Sequence, residues 1–187
     1  FIHTMKYKSV FNGCMGLLLN FLFVACSAST DTLVILHTND THSQIEPIAA
    51  GKRDGNCAGY ARRMGFIQQE REANPNLILL DAGDFCQGTP YFNFYRGRME
   101  VEAFNMMGYD AVTLGNHEFD NGVDTLASVL RDAKFAVVST NYDVQNTPLE
   151  DIVRPYVVVT RAGVRVGILG VGVNPKGLIA DKKFYPL

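Results

Sequence analysis

Four short apolar runs punctuate the chain, Thr32–Leu36, Leu77–Leu80, Tyr109–Leu114 and Phe135–Val138, and the first three open directly onto polar residues. Compact runs of this length, without alternation, are the pattern of strands buried on both faces. Between them lie stretches with helical spacing. Ala58–Ala73 gathers Tyr60, Met64 and Ile67 on one side, with Arg62, Gln69 and Glu70 elsewhere, and Asn74-Pro75 stops it. Met99–Met107 turns Val101, Phe104 and Met107 inward, and Gly108 stands where a helix C-cap belongs. Gly122–Asp132 carries Val123, Leu126, Val129 and Leu130 as its apolar side. The pattern then changes. Tyr156–Thr160 and Val164–Val171, separated by Arg161-Ala162-Gly163, read as an antiparallel hairpin. The order β-α-β-α-β-α-β followed by a hairpin predicts an α/β fold with a largely parallel sheet.

The polar residues that close the first three runs are unusual core-edge material. They are His37-Thr38-Asn39-Asp40-Thr41-His42, then Asp81-Ala82-Gly83-Asp84, then Gly115-Asn116-His117-Glu118-Phe119-Asp120. In a parallel sheet all three fall at carboxyl ends of strands, the edge where such sheets place ligands, so they should converge on one crevice. Asp40 and His42 are separated by one residue, so an extended backbone would point both side chains the same way. Asp84, after a glycine, has two oxygens that could bridge two cations, and Asn116 offers a neutral carbonyl oxygen. Oxygen and nitrogen donors without a thiolate suit Zn, Mn, Fe, Co or Mg better than a soft metal. Two cations about 3.5–4 Å apart would clamp a phosphoryl group and activate a water. His117 would then face the substrate, to stabilise transition-state charge or protonate the leaving oxygen. Asp120, three residues on, could bond its imidazole and favour the charged form.

Composition narrows the classes. With 47% hydrophobic and 19% charged residues the chain is globular in character, not disordered. Lys6 and Lys8 are the only Lys, Arg, Asp or Glu residues before Asp31, so the 17 basic and 19 acidic residues leave a net charge of −4 beyond residue 30. No basic run stands out, which argues against a nucleic-acid polymer as partner. Residues 1–30 read as a leader outside the fold. Lys6 and Lys8 precede an apolar Met15–Ala25, too short for a comfortable membrane span, and Phe23-Val24-Ala25-Cys26-Ser27 resembles a bacterial lipoprotein processing site with Cys26 as the lipidated residue. The alternative is an ordinary secretory peptide cleaved nearby. Either reading takes the mature chain out of the cytoplasm; in the lipoprotein reading it sits in the cell envelope, periplasmic or at the cell surface, with the lipid anchor as its sole membrane attachment. Cys57 and Cys86 remain, either paired in an oxidising compartment or free.

Taken together, His37-Thr-Asn-Asp40-Thr-His42-Ser43, Gly83-Asp84-x-x-Gln87-Gly88 and Gly115-Asn-His-Glu-Phe-Asp120 resemble the first three motifs of calcineurin-like metallophosphoesterases. The form is similar to the secreted 5'-nucleotidase and 2',3'-cyclic phosphodiesterase branch. The resemblance spans about residues 32–187. It implies a four-layer α/β/β/α sandwich, of which this chain supplies the N-terminal half and the start of the second sheet. It implies two divalent cations held by Asp40, His42, Asp84 and Asn116, with Asp84 bridging, and a catalytic dyad of His117 and Asp120. The family completes its site with downstream histidines, and no histidine follows His117 here. The expectation is therefore that residues 31–187 are the N-terminal portion of the domain, that this polypeptide alone binds metal weakly and turns over little, and that a nucleotide-binding domain lies elsewhere. The implied activity is phosphoester hydrolysis of 5'-nucleotidase type. A cyclic-nucleotide or other phosphodiesterase, and a catalytically silent lipoprotein that captures phosphate or nucleotides, are the rivals.

Other polar residues fit plainer roles. His37 reads as structural, Asp81 as bonding nearby backbone, Glu118 as a structural or outer-shell group, and Gln87 and Gly88 as shaping the Asp84 loop. Tyr91, Phe92, Phe94 and Tyr95 read as a short helix packed against the sheet.

Overall fold

A computed structural model of the chain describes residues 3–8, 32–174 and 176–179. The elements run β1 (His3–Lys8), β2 (Thr32–Thr38), α1 (Tyr60–Ala73), β3 (Ile78–Asp81), α2 (Pro90–Tyr95), α3 (Arg98–Met107), β4 (Ala111–Val112), a single 3₁₀ turn (His117–Phe119), α4 (Val123–Leu130), β5 (Ala136–Val138), β6 (Val153–Arg154), β7 (Tyr156–Arg161) and β8 (Val164–Leu169). The main sheet follows chain order from β1 to β6, and β2 to β6 are parallel. Sequential order with right-handed crossovers places successive helices on the same face.

The two cores record that arrangement. Val34, Leu36, Leu79, Val112 and Val137 point to the helices, where they meet Ile67, Phe104, Leu126 and Leu130. Leu33, Ile78, Ala111 and Val138 point the other way, against Ile168, with Ile35, Val157, Val159 and Val166 alongside. Strands covered on both sides need apolar residues at successive positions, which is why their sequence runs without alternation. The β7–β8 hairpin does alternate, because only one face is covered: Val157, Val159, Val166 and Ile168 turn inward, while Tyr156 (63% exposed) and Leu169 (63%) face outward. Its two-residue turn, Ala162 and Gly163, is left-handed at both positions (φ 50° and 75°), the geometry that matches strand twist. Arg161 pairs with Asp110, whose other oxygen accepts from the Leu79 amide (2.9 Å), tying hairpin to main sheet. Of the four expected layers, the described residues form helix, sheet and sheet.

Three details depart from the sequence-based expectation, and one alternative is decided. β6, parallel to β5, contributes one buried residue, Val153, too little for any periodicity to reveal. In α2 only Phe92 is buried, while Phe94 is 80% and Tyr95 50% exposed. Six residues cannot turn four aromatics to one face, since each residue rotates about 100°. Of the two alternatives for the cysteines the free one is found: Cys57 is exposed, Cys86 is buried, and both are free thiols. Lastly, residues 1–30 were expected to lie outside the fold, yet β1 pairs antiparallel along the whole of β2. The outer edge of β2 is a row of backbone donors and acceptors that any extended segment can satisfy. Cys26 and the remainder of the expected leader fall outside the described residues. Among the described residues no helix is long and apolar enough to cross a membrane.

Candidate metal and phosphoester site

Three loops leave the carboxyl ends of β2, β3 and β4 side by side. The first two are laced together through their backbones. The Asp40 amide donates to the Gly83 carbonyl (3.0 Å), His42 to Asp84 (3.0 Å) and Ser43 to Phe85 (2.9 Å). The lacing requires left-handed backbone at Asp40, His42, Ser43 and Asp84, with φ between 45° and 53°. Such conformations cost non-glycine residues about 1 kcal/mol or more each and collect at functional sites. Asp40 and His42 do come together, Nε2 to Oδ1 at 3.6 Å, but through this turn and not through the extended backbone expected.

The third loop is fixed against Asp84. Its Oδ1 accepts from the His117 amide (2.9 Å). Gly115 lies so close that a Cβ there would sit 2.3 Å from the same oxygen, and a Cβ on Gly83 (φ 95°) would sit 2.6 Å from the Gly115 nitrogen. Only glycines let these two backbones approach. Glu118, 2% exposed, braces the junction by accepting from the amides of Gly115 (2.6 Å), Cys86 (3.0 Å) and Asp84 (3.1 Å). Burial pushes its carboxyl up to about 7 against those three donors, with the neighbouring Asp84 charge adding to the rise. Asp81 does the same beneath: it accepts from Thr38 Oγ1 (2.5 Å) and the Gly83 amide (2.9 Å), and burial pushes it up to about 7. Both behave as the sequence suggested, as braces of the loops.

Three of the four expected ligand side chains come together. Asp40, His42 and Asp84 each offer a ligand atom, and these atoms lie within 4.8 Å of one another. Asn116 is half-buried between Gly115 and His117, the two residues whose amides the carboxylates hold. His117 stands edge-on to His42, ring centroids 5.2 Å apart, and its Nδ1 is 2.8 Å from Asp120 Oδ2. An ionised carboxylate only accepts, so that contact places the proton on Nδ1 and leaves Nε2 as the free edge. Among the described residues neither Asp40 nor Asp84 has a Lys or Arg partner. Two unneutralised carboxylates beside an imidazole form a donor set suited to a divalent cation. A cavity of about 530 Å³ opens beside Asp40 and His42, with Arg62 and Phe66 of α1 on its far wall. Sequence reading passed over those two, because on an isolated helix they look like ordinary surface residues.

Residues 33–176 match the calcineurin-like phosphoesterase family. The chain belongs to that family. Calcineurin-like phosphoesterases use divalent metals, in keeping with the donors of the Asp40–His42–Asp84 group. The chain is 42% identical over 146 residues to a snake venom 5'-nucleotidase of Naja atra, covering 74% of this chain and 28% of that protein. Among solved structures, a 5'-nucleotidase precursor of Thermus thermophilus superposes with a TM-score of 0.69 at 42% identity, covering 74% of this chain and 28% of that one. The NAD nucleotidase of Haemophilus influenzae superposes at 0.70 with 29% identity, covering 79% and 28%. The chain thus spans a little over a quarter of the length of these calcineurin-like relatives.

Proposed function

We propose that the protein is a metal-dependent phosphoester hydrolase of 5'-nucleotidase type, releasing phosphate from nucleotides. The observation that carries the reading is the meeting of Asp40, His42 and Asp84 with the His117–Asp120 pair at one sheet edge. Asp40, His42, Asp84 and Asn116 are the proposed ligands of two divalent cations, with Asp84 shared between them. Bound there, the cations would neutralise the phosphoryl oxygens and activate a water for in-line attack. Four donors are fewer than two cations ordinarily take, so further ligands are expected from outside the described residues.

The chain's own groups supply the rest. Asp120 orients the His117 imidazole through Nδ1, so that Nε2 faces the departing oxygen and can hold or deliver a proton to it. Glu118 and Asp81 keep the ligand loops in register. We also propose that the protein is exported and anchored through lipid on Cys26, a processing step that would release β1 with the leader, and that a nucleotide-binding domain outside these residues grips the nucleoside.

The test is a substrate panel on the full-length protein with added Mn. AMP should be hydrolysed faster than 2',3'-cyclic AMP and bis(p-nitrophenyl) phosphate. The reverse order would assign a phosphodiesterase to the same site, and absence of turnover on all three would leave a binding protein and overturn the reading.

A further inference from the structure

Behind the ligand loops lies a buried charge that the proposed chemistry does not use. Glu100, in the first turn of α3, is 0% exposed, and neither carboxyl oxygen reaches full hydrogen-bond geometry with any described residue. A carboxylate in such a place costs several kcal/mol in effective terms unless its neighbours compensate. The groups that interact with it electrostatically are hydroxyls and a thiol. The Ser43 hydroxyl, also fully buried and also without a full partner, favours its charged form, against the dominant effect of burial, and Ser43 is laced to Phe85, next to the Cys86 on which the start of α3 rests. The Tyr60 phenol from α1 and the Cys86 thiol from the Asp84 loop both feel its charge. A Cβ on Gly97, just before α3, would lie 3.2 Å from Cys86 Sγ, so the start of the helix rests on that loop.

Ser43 is the node of this arrangement. Its amide donates to Phe85, its carbonyl accepts from Thr89 Oγ1 (2.8 Å), and it holds left-handed backbone (φ 49°) immediately after His42. Its hydroxyl is the one polar group of Ser43 without a full partner among the described residues. We infer that Glu100 is a positioning residue for the metal site: by engaging the Ser43 hydroxyl it fixes the strained turn that presents Asp40 and His42. The inference rests on the proposed metal reading of that turn. It also accounts for a buried carboxylate on a helix whose other inward residues, Val101, Phe104 and Met107, are apolar.

The experiment measures Mn binding by calorimetry, and thermal stability, on the full-length protein after chelator treatment. Glu100→Leu, similar in size and without a charge to bury, should melt close to the wild type yet bind Mn at least about tenfold more weakly, the usual cost of removing an outer-shell partner. Raising Mn should restore its AMP turnover. Glu100→Gln, which can still accept from Ser43, should stay within about threefold of wild-type affinity. A folded Glu100→Leu with wild-type affinity, or Glu100→Gln as weak as Glu100→Leu, would overturn the inference. Should Glu100→Leu fail to fold, Ser43→Ala decides, since it removes one oxygen from the same contact: unchanged Mn affinity would overturn the inference, and a loss of about tenfold would support it. Failure of the wild type itself to bind Mn would overturn the underlying metal reading, and this inference with it.

Discussion

Gly115→Ala would test the site geometry by adding a single methyl group. The added Cβ would stand 2.3 Å from Asp84 Oδ1, 2.7 Å from its Cγ and 2.9 Å from its amide nitrogen, where ordinary contact begins at 3.4 Å. The carboxylate would have to retreat by about 1 Å, and it is not free to do so. Its oxygen is held by the His117 amide, its own amide by Glu118, and its carbonyl by His42. Moving it breaks at least one hydrogen bond to a charged group, worth about 1.5–3 kcal/mol, in a site already tightly packed. Part of that strain relaxes, so a net loss of about 2 kcal/mol in stability is expected, read as a fall of roughly 4–8 °C in Tm. Function should suffer more, because a misplacement of about 1 Å at a reacting centre costs on the order of 100-fold in rate. The assay is AMP hydrolysis by the full-length variant at saturating Mn, beside a thermal melt. A folded variant within about threefold of wild-type turnover would refute the claim that Asp84 must sit where Gly115 lets it sit.

Three further outcomes follow from other parts of the molecule. Gly65→Ala, in the middle of α1 with nothing within 4 Å of the new Cβ, should stabilise the fold by about 0.5–1 kcal/mol and raise Tm by roughly 2 °C; a lower Tm would contradict the helix as described. Burial holds the Asp81 proton up to about 7, above the ordinary value of 3.8, so the native state binds that proton more tightly than the unfolded chain. The stability this contributes is full below about pH 4 and is lost as pH rises through 7, by up to about 4 kcal/mol, so Asp81→Asn should gain on the wild type across that window in denaturant titrations, and a pH-independent difference would refute it. Asp120→Asn should leave Mn affinity near wild type and lower kcat by about 100-fold, through loss of the imidazole's orientation; a raised KM with unchanged kcat would assign Asp120 to binding instead.

Much of this was legible because the apolar runs are unambiguous. Leu33 to Leu36 and Leu77 to Leu80 are too short for helices and read as strands covered twice, and parallel strands deliver their trailing polar residues to one edge. The hairpin was legible because two strand-like runs, Tyr156–Thr160 and Val164–Val171, flank the short turn Arg161-Ala162-Gly163. What escaped notice depends on partners distant in sequence. The left-handed turn at Asp40 and His42 exists because their amides find the carbonyls of Gly83 and Asp84, a pairing no local pattern encodes. Glu100 has the chemistry of a surface residue of α3 yet is 0% exposed, and the groups that interact with it, Ser43, Tyr60 and Cys86, belong to three other segments. β6 rests on Val153 alone, below any periodic signal.

The central claim, that Asp40, His42 and Asp84 hold the metal on which hydrolysis depends, is tested most directly by Asp84→Ala in the full-length protein, with Mn binding by calorimetry and AMP hydrolysis measured on the same preparation. The account predicts a folded protein that has lost high-affinity Mn binding and whose turnover has dropped by about 1000-fold or more. Unchanged hydrolysis with Mn still bound would contradict it and remove Asp84 from the site.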